Sequence, residues 1–348
     1  MKKLAKGAYM TDIHFGKKNN SEQHNQDCIN YIDWFIKTVK EEGGVDYIGF
    51  LGDWHENRSA INVLTLAYSY AGAEKLNNFG LPVFFVVGNH DLYNKTSRDI
   101  HSVVHFKQFR NFHVIDQPEV ITDIHDKMMF CPYMFQHEYP DLAKYADIPF
   151  WAGHFEFKGF ILTGSNYTNP HGSDCRDFSG PKHIASGHFH KRQRGFNVTY
   201  IGNCFPMDFG DAGDDERGCM VYDHTTHNMH FYNWEQCPKY RKVNLSDIID
   251  NKAPFIDGAR IKCIADVAIT YEEMTTLKQT ITDTFNLREL VFEEPKETAD
   301  AIVDTNADVD HLENIDDTFV KLVGELNVDK IDTQFLIELY KELKIEQL

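Results

Sequence analysis

The sequence has few cysteines, and those it has are scattered. Its 348 residues include seven, with no Cys-x-x-Cys pair. An odd number of widely separated thiols argues against a disulfide framework and against a zinc ribbon, and predicts reduced thiols in a cytosol. Long apolar runs are also missing, since no stretch approaches the roughly 20 residues that span a bilayer. The charged residues 1–6 lead into no apolar region of the signal-peptide kind, so we expect a cytoplasmic protein without a membrane partner.

Positive charge is also in short supply. The formal net charge is −18 at pH 7, which at first argues against a nucleic-acid partner. The excess is uneven, because residues 297–348 hold 14 acidic and 4 basic residues, a net charge of −10. The remainder is only mildly acidic, and a metal site would use some of its carboxylates. Hydrophobic residues make up 42% of the chain, enough for one large folded domain and one or two small ones.

The first part of the chain alternates apolar runs with helical periodicity. Strand patterns at residues 8–13, 45–51 and 83–87 are separated by helical patterns at 26–39 and 61–79. A βαβαβ start of this kind predicts a mostly parallel sheet. The second helix is apolar on more than one face, which fits either full burial or contact with a partner.

The middle of the chain changes to short strands separated by turn residues. We interpret them as a second sheet packed against the first. The strand candidates are residues 127–131, 149–153, 159–163, 183–186, 198–202, 218–222 and 229–234.

We predict four segments along the chain. A large first domain ends near Cys237, and a small βαβ module, a polar acidic linker and two amphipathic helices follow it. The helices carry one-sided apolar stripes, which fit either a hairpin docked on its own chain or a tethered element for a partner's groove. The segments are residues 1–237, 238–295 (strands 259–269 and 289–292, helix 272–285), 296–310 and 311–348 (helices 311–326 and 333–345).

Five motifs of histidine, aspartate and asparagine each follow a strand candidate, and sites in α/β sheets assemble at the carboxyl ends of strands. Imidazole and carboxylate suit Mn²⁺, Fe²⁺ or Zn²⁺, and the absence of thiolates argues against a structural zinc site. Two cations about 3.5–4 Å apart clamp a phosphate and lower the pKa of a coordinated water, so the set predicts a phosphoesterase. The motifs are Asp12-Ile13-His14, Gly52-Asp53, Gly88-Asn89-His90-Asp91, Gly153-His154 and Gly187-His188-Phe189-His190.

The local backbone can be anticipated from the spacing within the motifs. In Asp-x-His and His-x-His, alternate side chains point the same way if the backbone is extended. We expect the glycines at 52, 88, 153 and 187 to let the chain turn sharply beside the metals. One such motif is weak evidence, because Gly-Asp is common and the chain has 18 histidines. The five motifs in this order carry the prediction together.

Together the motifs resemble those of the calcineurin-like metallophosphoesterase superfamily. Gly153-His154-Phe155-Glu156, Gly187-His188-Phe189-His190 and Tyr200-Ile201-Gly202-Asn203 further resemble the SbcD-type DNA-repair nucleases, the meiotic recombination 11 class. Within that class the chain is most similar to the small subunit of tailed-phage recombination endonucleases, over about residues 6–235. The resemblance implies an α/β fold, a four-layer αββα sandwich with a small βαβ capping domain and a C-terminal helical hairpin.

The resemblance also implies roles for single residues. His90 would be the general acid that protonates the leaving 3′ oxygen, and Asp91 would orient it. Histidine suits that role because imidazole exchanges protons near neutral pH. The metal is usually Mn²⁺ in the family, and Mg²⁺, Fe²⁺ and Zn²⁺ remain alternatives. The implied ligands are Asp12, His14, Asp53 and His190 for one cation, and Asp53 as a bridge with Asn89, His154 and His188 for the other.

The second motif departs from the pattern of many relatives. They carry a histidine three residues after the motif's aspartate. Here the sequence reads Gly52-Asp53-Trp54-His55-Glu56, so that His55 stands one place early and Glu56 takes that position. Whether either residue serves the site, or His55 is a loop histidine on its rim, stays open at this point.

Basic residues follow the metal motifs closely. If the loops after the strands line the rim of the site, these residues form a collar that binds phosphates without regard to sequence and in a salt-dependent way. The alternative is that lysine and arginine are simply common in loops. The candidate DNA-binding residues are Lys17, Lys18, Arg58, Lys95, Arg98, Lys191, Arg192 and Arg194.

The leading interpretation is a Mn²⁺-dependent DNA exonuclease or endonuclease subunit of a nuclease–ATPase complex for DNA end processing, recombination and repair. The resemblance implies a homodimer formed by the helices after the second and third motifs. It also implies that the C-terminal helices grip an SMC-like coiled-coil ATPase of the SbcC type. The alternatives are a stand-alone phosphatase or cyclic-nucleotide phosphodiesterase, and a catalytically inactive scaffold subunit.

Overall fold

A computed structural model describes residues 3–42, 44–162, 167–250, 252–253 and 255–293. They belong to one compact unit, Met1–Pro295. The predicted linker 296–310 and helical segment 311–348 lie outside the described residues. None of the described helices combines the length and the apolar character that crossing a membrane requires.

The described residues contain seventeen strands. They form two six-stranded sheets, a three-stranded sheet and a two-stranded hairpin within the described residues. In chain order they are β1 (Lys6–Met10), β2 (Tyr47–Phe50), β3 (Val83–Val86), β4 (Leu92–Asn94), β5 (Ser97–His101), β6 (Phe112–Ile115), β7 (Glu119–Ile121), β8 (Met128–Cys131), β9 (Phe150–Gly153), β10 (His183–Ser186), β11 (Gln193–Gly195), β12 (Val198–Tyr200), β13 (Gly218–Asp223), β14 (Asn228–Asn233), β15 (Tyr240–Asn244), β16 (Arg260–Ile264) and β17 (Glu289–Glu293).

The three long helices of the described residues start at a capping side chain. Ser21 accepts a hydrogen bond from the His24 amide at the start of the first long helix, and Asn62 accepts one from the Leu64 amide at the start of the second. The α-helices are α1 (Lys17–Asn20), α2 (Glu22–Glu41), α3 (Val63–Phe79), α4 (Leu245–Ile249) and α5 (Tyr271–Phe285), and the 3₁₀ helices are Val104–Gln108, Gln136–Tyr145, Cys175–Asp177 and Phe209–Asp211.

The first sheet has the order β14-β13-β1-β2-β3-β6. Its strands β1, β2, β3 and β6 are parallel, with Met10 opposite Phe50 in the register, so the predicted parallel start is confirmed. Every residue of β2 and β3 is buried, because the helices cover one face of the sheet and the second sheet covers the other.

The second sheet, of order β11-β12-β10-β9-β8-β7, confirms the predicted partner of the first. Its central strands are parallel, with Gly153 opposite Ser186. The strand predicted at 159–163 is wrong for its described residues, which contribute only a single bridge at Ile161. There the Gln193 side chain accepts from the Ile161 amide and donates to its carbonyl, both at 2.8 Å. It thereby takes the hydrogen bonds that a neighbouring strand would have made.

Three apolar layers hold the sandwich together. Ile32 and Phe35 of α2 pack on the outer face of the first sheet. Between the two sheets, the Phe84 and Phe130 rings stack at 4.9 Å. The outer face of the second sheet packs against loops and the 3₁₀ helix that contains Tyr139. The predicted α/β sandwich is therefore present, with a 3₁₀ helix in its fourth layer.

The small module after Cys237 is a three-stranded parallel sheet of order β15-β16-β17 with its own apolar core. The predicted βαβ unit corresponds to β16-α5-β17, and the sequence pattern missed β15 and α4. Arg288 binds the Asp27 carboxylate of α2 through both oxygens, at 2.7 and 2.9 Å. This contact places the module against the helix that follows the first metal motif.

Candidate functional site

The predicted ligands follow the carboxyl ends of five parallel strands in the two sheets. The first three motifs follow β1, β2 and β3 of the first sheet, and the last two follow β9 and β10 of the second. Since the two sheets pack face to face, these ends meet at one edge of the sandwich. The structure thus brings together all seven predicted ligands: Asp12, His14, Asp53, Asn89, His154, His188 and His190.

The first group of ligand atoms comes from Asp12, His14 and His190, all within 4.8 Å of one another. The Nε2 atoms of His14 and His190 are 3.1 Å apart. Asp12 Oδ1 lies 3.8 Å from each of these nitrogens. Two imidazoles and a carboxylate that converge in this way are a typical ligand set for a divalent transition metal.

The second group comes from Asp53, His154 and His188, again within 4.8 Å. The amide oxygen of Asn89 lies 2.9 Å from His154 Nε2 and 3.0 Å from His188 Nδ1. His154 Nδ1 donates to the carbonyl of Leu51 at 2.7 Å. In the neutral ring this bond leaves the lone pair of Nε2 directed at the group, as it is in histidines that bind metals.

Asp53 lies between the two groups. Its Oδ2 is 3.9 Å from His14 Nε2 and 3.3 Å from His154 Nε2. Asp53 is buried, and a buried carboxylate needs compensating positive charge. Carboxylate, amide and imidazole acceptors thus face one another from both sides of Asp53, an arrangement that fits a pair of divalent cations with Asp53 as a shared ligand.

Burial and mutual charge shift the pKa values of the group. Burial raises the pKa of Asp12, whereas at Asp53 the charge of His154 outweighs burial and holds the pKa well below its usual range. Burial would lower the pKa of His154, but Asp53 raises it to about 9. Burial lowers the pKa of His188 to about 3 and keeps that of His190 well below its usual value. The last two rings are therefore neutral, the form that binds metals.

The backbone at the ligands is left-handed rather than extended. Asp12 and His14 have φ of 52°, Asp53 has 61° and His188 has 88°. The expectation that extended backbone aligns the alternate side chains is therefore wrong for these residues. Left-handed turns after the strands direct the side chains to one place. Non-glycine residues rarely adopt this conformation, and its strain concentrates at functional sites.

Close contacts leave no room for a Cβ at any of the four motif glycines, as Gly52 and Gly88 illustrate. A Cβ on Gly52, whose φ is 102°, would lie 2.3 Å from His154 Nδ1. A Cβ on Gly88 would lie 2.2 Å from the amide nitrogen and from Oδ1 of Asp53. The expected sharp turn therefore applies at Gly52, whereas Gly88 serves to let two ligand loops approach each other.

His90 and Asp91 take different positions at the site. His90 is half-buried, and its Nδ1 donates to the carbonyl of Glu56 at 2.9 Å. The Asp91 carboxylate is buried and accepts hydrogen bonds from backbone amides instead of contacting the His90 ring. Burial and the charge of Asp53 raise the pKa of Asp91 to about 7, although backbone amides oppose the shift. The donating amides, all within 3.1 Å, belong to Asp53, Trp54, His55 and Gly88.

The structure separates the roles of His55 and Glu56. The His55 ring is buried away from the ligands, with Nδ1 and Nε2 each 2.7 Å from the hydroxyls of Ser102 and Ser69. A Glu56 carboxylate oxygen lies 2.7 Å from His14 Nδ1. The two atoms are close enough for a strong charge contact, although they are not aligned for an ideal hydrogen bond. Glu56 therefore contacts a predicted ligand through its side chain and His90 through its backbone.

Sequence reasoning missed Tyr133, which follows the end of β8. Its ring lies 5.8 Å from that of His188 and 6.2 Å from that of His154. Its hydroxyl donates to Glu156 at 3.4 Å, and burial raises its pKa to about 12. The signal was available, because Tyr133 follows a buried strand just as the metal motifs do.

Five of the eight residues of the predicted basic collar contact other groups of the protein. Lys18 pairs with Glu289 at 3.7 Å and lies over the Tyr240 ring of the small module. Burial lowers its pKa to about 8. Arg98 is buried and binds both carboxylate oxygens of Glu138 at 2.6 Å. Neither side chain is available to a phosphate at the rim in this arrangement.

Arg192 and Arg194 also contact the protein itself. Arg192 donates to Asn233 at 2.8 Å and stacks on the ring of Phe231. Arg194 is exposed, and its Nε donates to the Thr199 hydroxyl at 3.0 Å. Neither arginine has a carboxylate partner among the described residues.

Lys17 is also paired, with Glu56 at 3.6 Å and with Asp208 at 3.7 Å, at the edge of the ligand cluster. The other predicted basic residues have more freedom. Arg58, Lys95 and Lys191 make no ion pair within the described part of the chain. The basic rim of the site thus reduces to these side chains, with Lys17 nearest to the ligands.

Comparison with known proteins points to one family. A family model of calcineurin-like phosphoesterases matches residues 8–192. The chain is 27% identical over 224 residues to exonuclease subunit 1 of Enterobacteria phage T4, an alignment that covers 63% of this chain and 65% of the phage protein. The chain therefore spans just under two thirds of that relative's length.

Two solved structures show a weaker similarity. One is described as a novel archaeal phosphodiesterase, with a TM-score of 0.34 and 11% identity over 66% of this chain and 99% of that one. The other is a protein of unknown function from Aquifex aeolicus, with a TM-score of 0.26 and 16% identity over 50% of this chain and 86% of that one. At these TM-scores neither structure bears on the assignment.

Proposed function

This chain belongs to the calcineurin-like phosphoesterase family, and from that premise we propose that it is a nuclease that hydrolyses phosphodiester bonds in DNA with two divalent cations. The observation that carries the proposal is the position of Asp53. Its carboxylate lies between two groups of ligand atoms, and the atoms within each group lie within 4.8 Å of one another. A shared carboxylate between two such groups is what a two-cation centre requires.

The residues at the site provide a separate group of ligands for each of the two cations. Asp12, His14 and His190 would hold the first, and Asn89, His154 and His188 would hold the second, with Asp53 shared. When bound, the cations supply Lewis acidity that polarises the phosphate and activates water for attack. Mn²⁺ suits this mixture of imidazole and oxygen ligands, and so do Fe²⁺ and Zn²⁺.

The chain's own contribution is to position groups and to move a proton. The Glu56 carbonyl fixes His90 Nδ1 as a donor, so Nε2 is the atom left to give a proton to the leaving 3′ oxygen. Asp91 would act as a positioning residue, because its carboxylate ties the amide of Asp53 to that of Gly88, next to Asn89 and His90. The Thr11 hydroxyl donates to Asp12 at 2.7 Å and helps to fix that ligand.

One comparison supports DNA as the substrate, since the relative from phage T4 is named an exonuclease subunit. We further propose that Lys17, Arg58, Lys95 and Lys191, which follow the metal motifs in a protein of net charge −18, form a local cationic area where a polyanion would approach. DNA end processing, recombination and repair are the processes to which we assign such an activity.

Degradation of linear duplex DNA in Mn²⁺ tests the proposal. Wild type should degrade the DNA, and His90→Ser should lose at least about 100-fold in rate, the usual contribution of a general acid. Bis-p-nitrophenyl phosphate, whose leaving group needs no proton, should be hydrolysed by both proteins. Hydrolysis of p-nitrophenyl phosphate alone would favour a phosphatase, and no activity on any phosphoester would favour a scaffold.

We also propose a homodimer through α3. Its inner face is buried through Thr65, Ser69 and Leu76. Its outer face exposes 82% of Val63 and 48% of Tyr70. The interpretation of α3 as fully buried is therefore wrong, and an apolar face of this kind fits an interface with a second copy. The segment after the third motif forms the β4–β5 hairpin and a 3₁₀ helix, so the surface around α3 differs from a bundle of four α-helices.

An SMC-like coiled-coil ATPase is the proposed second partner. The amphipathic pattern of residues 311–348 supports a tethered element that lies in a partner's groove. Deleting residues from Val303 onward should abolish co-purification with the ATPase and leave Mn²⁺-dependent hydrolysis of a small phosphodiester unchanged. Loss of both properties would place these residues in the catalytic unit instead.

A further inference from the structure

The edge strand β11 carries an exposed aromatic side chain in a strained turn. β11 pairs antiparallel with β12, with Gly195 opposite Val198, so that Phe196 and Asn197 form a two-residue turn. Phe196 has φ of 54° and is 62% exposed. This position of a tight hairpin normally takes glycine, asparagine or aspartate. A large apolar residue there is neither buried nor favoured by the backbone, which points to a role outside the fold.

The turn is held firmly in place despite this strain. The Asn197 side chain donates to the carbonyls of Phe178 and Pro181 at 2.9 and 2.8 Å. Beneath the strand, the Phe160 ring packs against Tyr200 at 4.8 Å. Phe196 is therefore presented to solvent by a rigid hairpin.

An open groove runs along this hairpin. One wall is β11, and the other is the segment that follows His154. The Gln193 side chain of β11 joins the two walls through hydrogen bonds to the backbone of Ile161. Phe160 and Phe196 provide its aromatic surface. Among the described residues, the charged ones at its lining are Lys158, Arg176, Arg194 and Asp174, and the Arg194 guanidinium is directed to Thr199 and Met229 at the edge of the sheet.

The positive charge of the groove is only partly compensated. Arg176 and Lys158 share the one carboxylate of Asp174, at 2.6 and 3.4 Å. Arg194 has no acidic partner among the described residues. The lining therefore carries a net positive charge on a protein whose total is −18, and such local excess attracts a polyanion.

The walls of the groove lie close to the predicted ligands along the chain. Both of its walls begin at predicted ligands, since β11 starts three residues after His190 and the opposite segment follows His154. Gln193 pairs with Tyr200, at the edge of the sheet where the predicted ligands lie. Phe196 lies beyond the opposite end of β11. Three residues of strand place the turn on the order of 10 Å from the ligand-bearing edge.

We propose that this groove binds a single strand of DNA beyond the scissile phosphate, with a base stacked on Phe196 and phosphates paired with Lys158 and Arg176. The inference rests on the proposed nuclease function and adds a path for the strand. Stacking on an exposed ring beside cationic side chains is how proteins bind single strands without sequence preference. The aromatic side chain, the cations and the position of both walls directly after predicted ligands favour DNA over a protein partner.

Binding of fluorescent single-stranded oligonucleotides, measured by anisotropy with catalysis blocked by chelation, tests the path. Phe196→Ala and Phe196→Asn should weaken binding of a 12-mer at least fivefold, the contribution of one stacked base. Phe196→Trp should retain affinity, and Arg176→Glu should make binding less salt-dependent. Tyr271→Ala removes an aromatic residue that is 78% exposed on α5 and should bind as wild type does.

Phe196→Asn separates the role of the ring from damage to the fold. Asparagine tolerates a positive φ, so this variant should melt at a higher temperature than wild type while binding the 12-mer more weakly. Hydrolysis of bis-p-nitrophenyl phosphate in Mn²⁺ should stay unchanged. Unaltered 12-mer affinity in both Phe196→Ala and Phe196→Asn would overturn the inference while leaving the proposed function intact. A wild type that hydrolyses the small ester but neither binds nor cleaves DNA would remove the proposed function, and this inference with it.

Discussion

At the scale of single residues, the predicted ligands were visible in the sequence because each polar motif follows an apolar run. His55 and Glu56 were not separable in this way. His55 and Glu56 are neighbours, yet the His55 side chain turns into the core and the Glu56 side chain faces the ligands. The left-handed φ of 61° at Asp53 sets the direction of the loop that carries them. No periodicity in the sequence marks a left-handed residue.

Glu56 should tune the first cation site. Its carboxylate lies 2.7 Å from His14 Nδ1, the position from which a carboxylate orients a metal-binding histidine. Removing such a partner costs about 10- to 100-fold in metal affinity. In a Mn²⁺ titration by calorimetry, Glu56→Ala should therefore weaken one of two sites by that factor, and Glu56→Gln should weaken it less.

Asp208→Asn is the matched control for Glu56. Asp208 is the other carboxylate beside Lys17, at 3.7 Å, so this change removes a similar charge without touching His14. It should leave both Mn²⁺ affinities unchanged. Equal weakening of both sites by Glu56→Ala would refute the specific link between Glu56 and the first group.

His55 should matter to stability and not to cation binding. Its ring joins the hydroxyls of Ser69 and Ser102, both at 2.7 Å, inside the core. His55→Phe removes both hydrogen bonds, so that the Ser69 hydroxyl retains only its bond from the Trp54 indole N–H at 2.8 Å, and this costs about 1–3 kcal/mol in the free energy of unfolding. Urea unfolding should show that loss, and His113→Phe on the surface should stay within about 0.5 kcal/mol of wild type. A His55→Phe protein of normal stability that binds Mn²⁺ weakly would reverse this assignment.

At the scale of elements, the long helices and buried strands were predictable and the short edge strands were not. β4, β5, β7 and β11 have only three to five residues each, and they carry polar side chains because one side faces water. The ends of α3 were predicted within two residues, but its environment was not. Apolar residues around a helix look the same in sequence whether the protein's own core or a second copy covers them.

Leu66→Glu should separate the proposed dimer. Leu66 is 40% exposed beside Val63 and Tyr70 on the outer face of α3. In a symmetric interface the new charge would be buried against its own copy, at a cost of several kcal/mol. Light scattering at micromolar concentration should change from dimer to monomer, with Mn²⁺ binding retained. Ile249→Glu, at an exposed position of α4, should remain dimeric, and a monomeric wild type would rule the proposal out.

At the scale of the whole molecule, buried neutral histidines should make the fold sensitive to acid. Burial lowers the pKa of His224 to about 4, and its Nε2 lies 2.6 Å from the Tyr47 hydroxyl, far from the metal motifs in sequence. An unfolded histidine has a pKa near 6.5. Because the folded value is the lower one, the stability from His224 is complete above pH 6.5 and is lost as the pH falls toward 4.

His224→Gln tests this dependence, since glutamine can bond to Tyr47 but cannot take up a proton. Between pH 6.5 and 4 the free energy of unfolding of wild type should fall more steeply, by up to about 1.4 kcal/mol per pH unit. Urea unfolding at pH 7.5, 6 and 5 in the presence of a chelator provides the comparison. Identical slopes for the two proteins would show that His224 does not contribute.

The charge distribution links the whole molecule to the site. Net charge alone argued against DNA, but more than half of the negative excess lies in residues 297–348, while we propose that cations lie along the rim of the site and the groove. The sequence alone shows where the acidic residues are concentrated. It does not show which lysines and arginines remain available to a ligand, because the fold determines which of them pair with carboxylates of the protein. Lys18 and Arg98 are paired with carboxylates, and nothing in their sequence context distinguishes them from Lys95 or Lys191.

The most direct test of the two-cation centre is the Mn²⁺ dependence of linear duplex DNA cleavage by wild type and Asp53→Asn. Because the Asp53 carboxylate lies between the two groups of ligands, its loss should weaken the binding of both cations. Wild type should bind two Mn²⁺ per chain and cleave the DNA. Asp53→Asn should lose at least about 100-fold in cleavage at any Mn²⁺ concentration that saturates wild type. Wild-type cleavage by Asp53→Asn, or a wild type that cleaves DNA equally well in a chelator, would contradict the account.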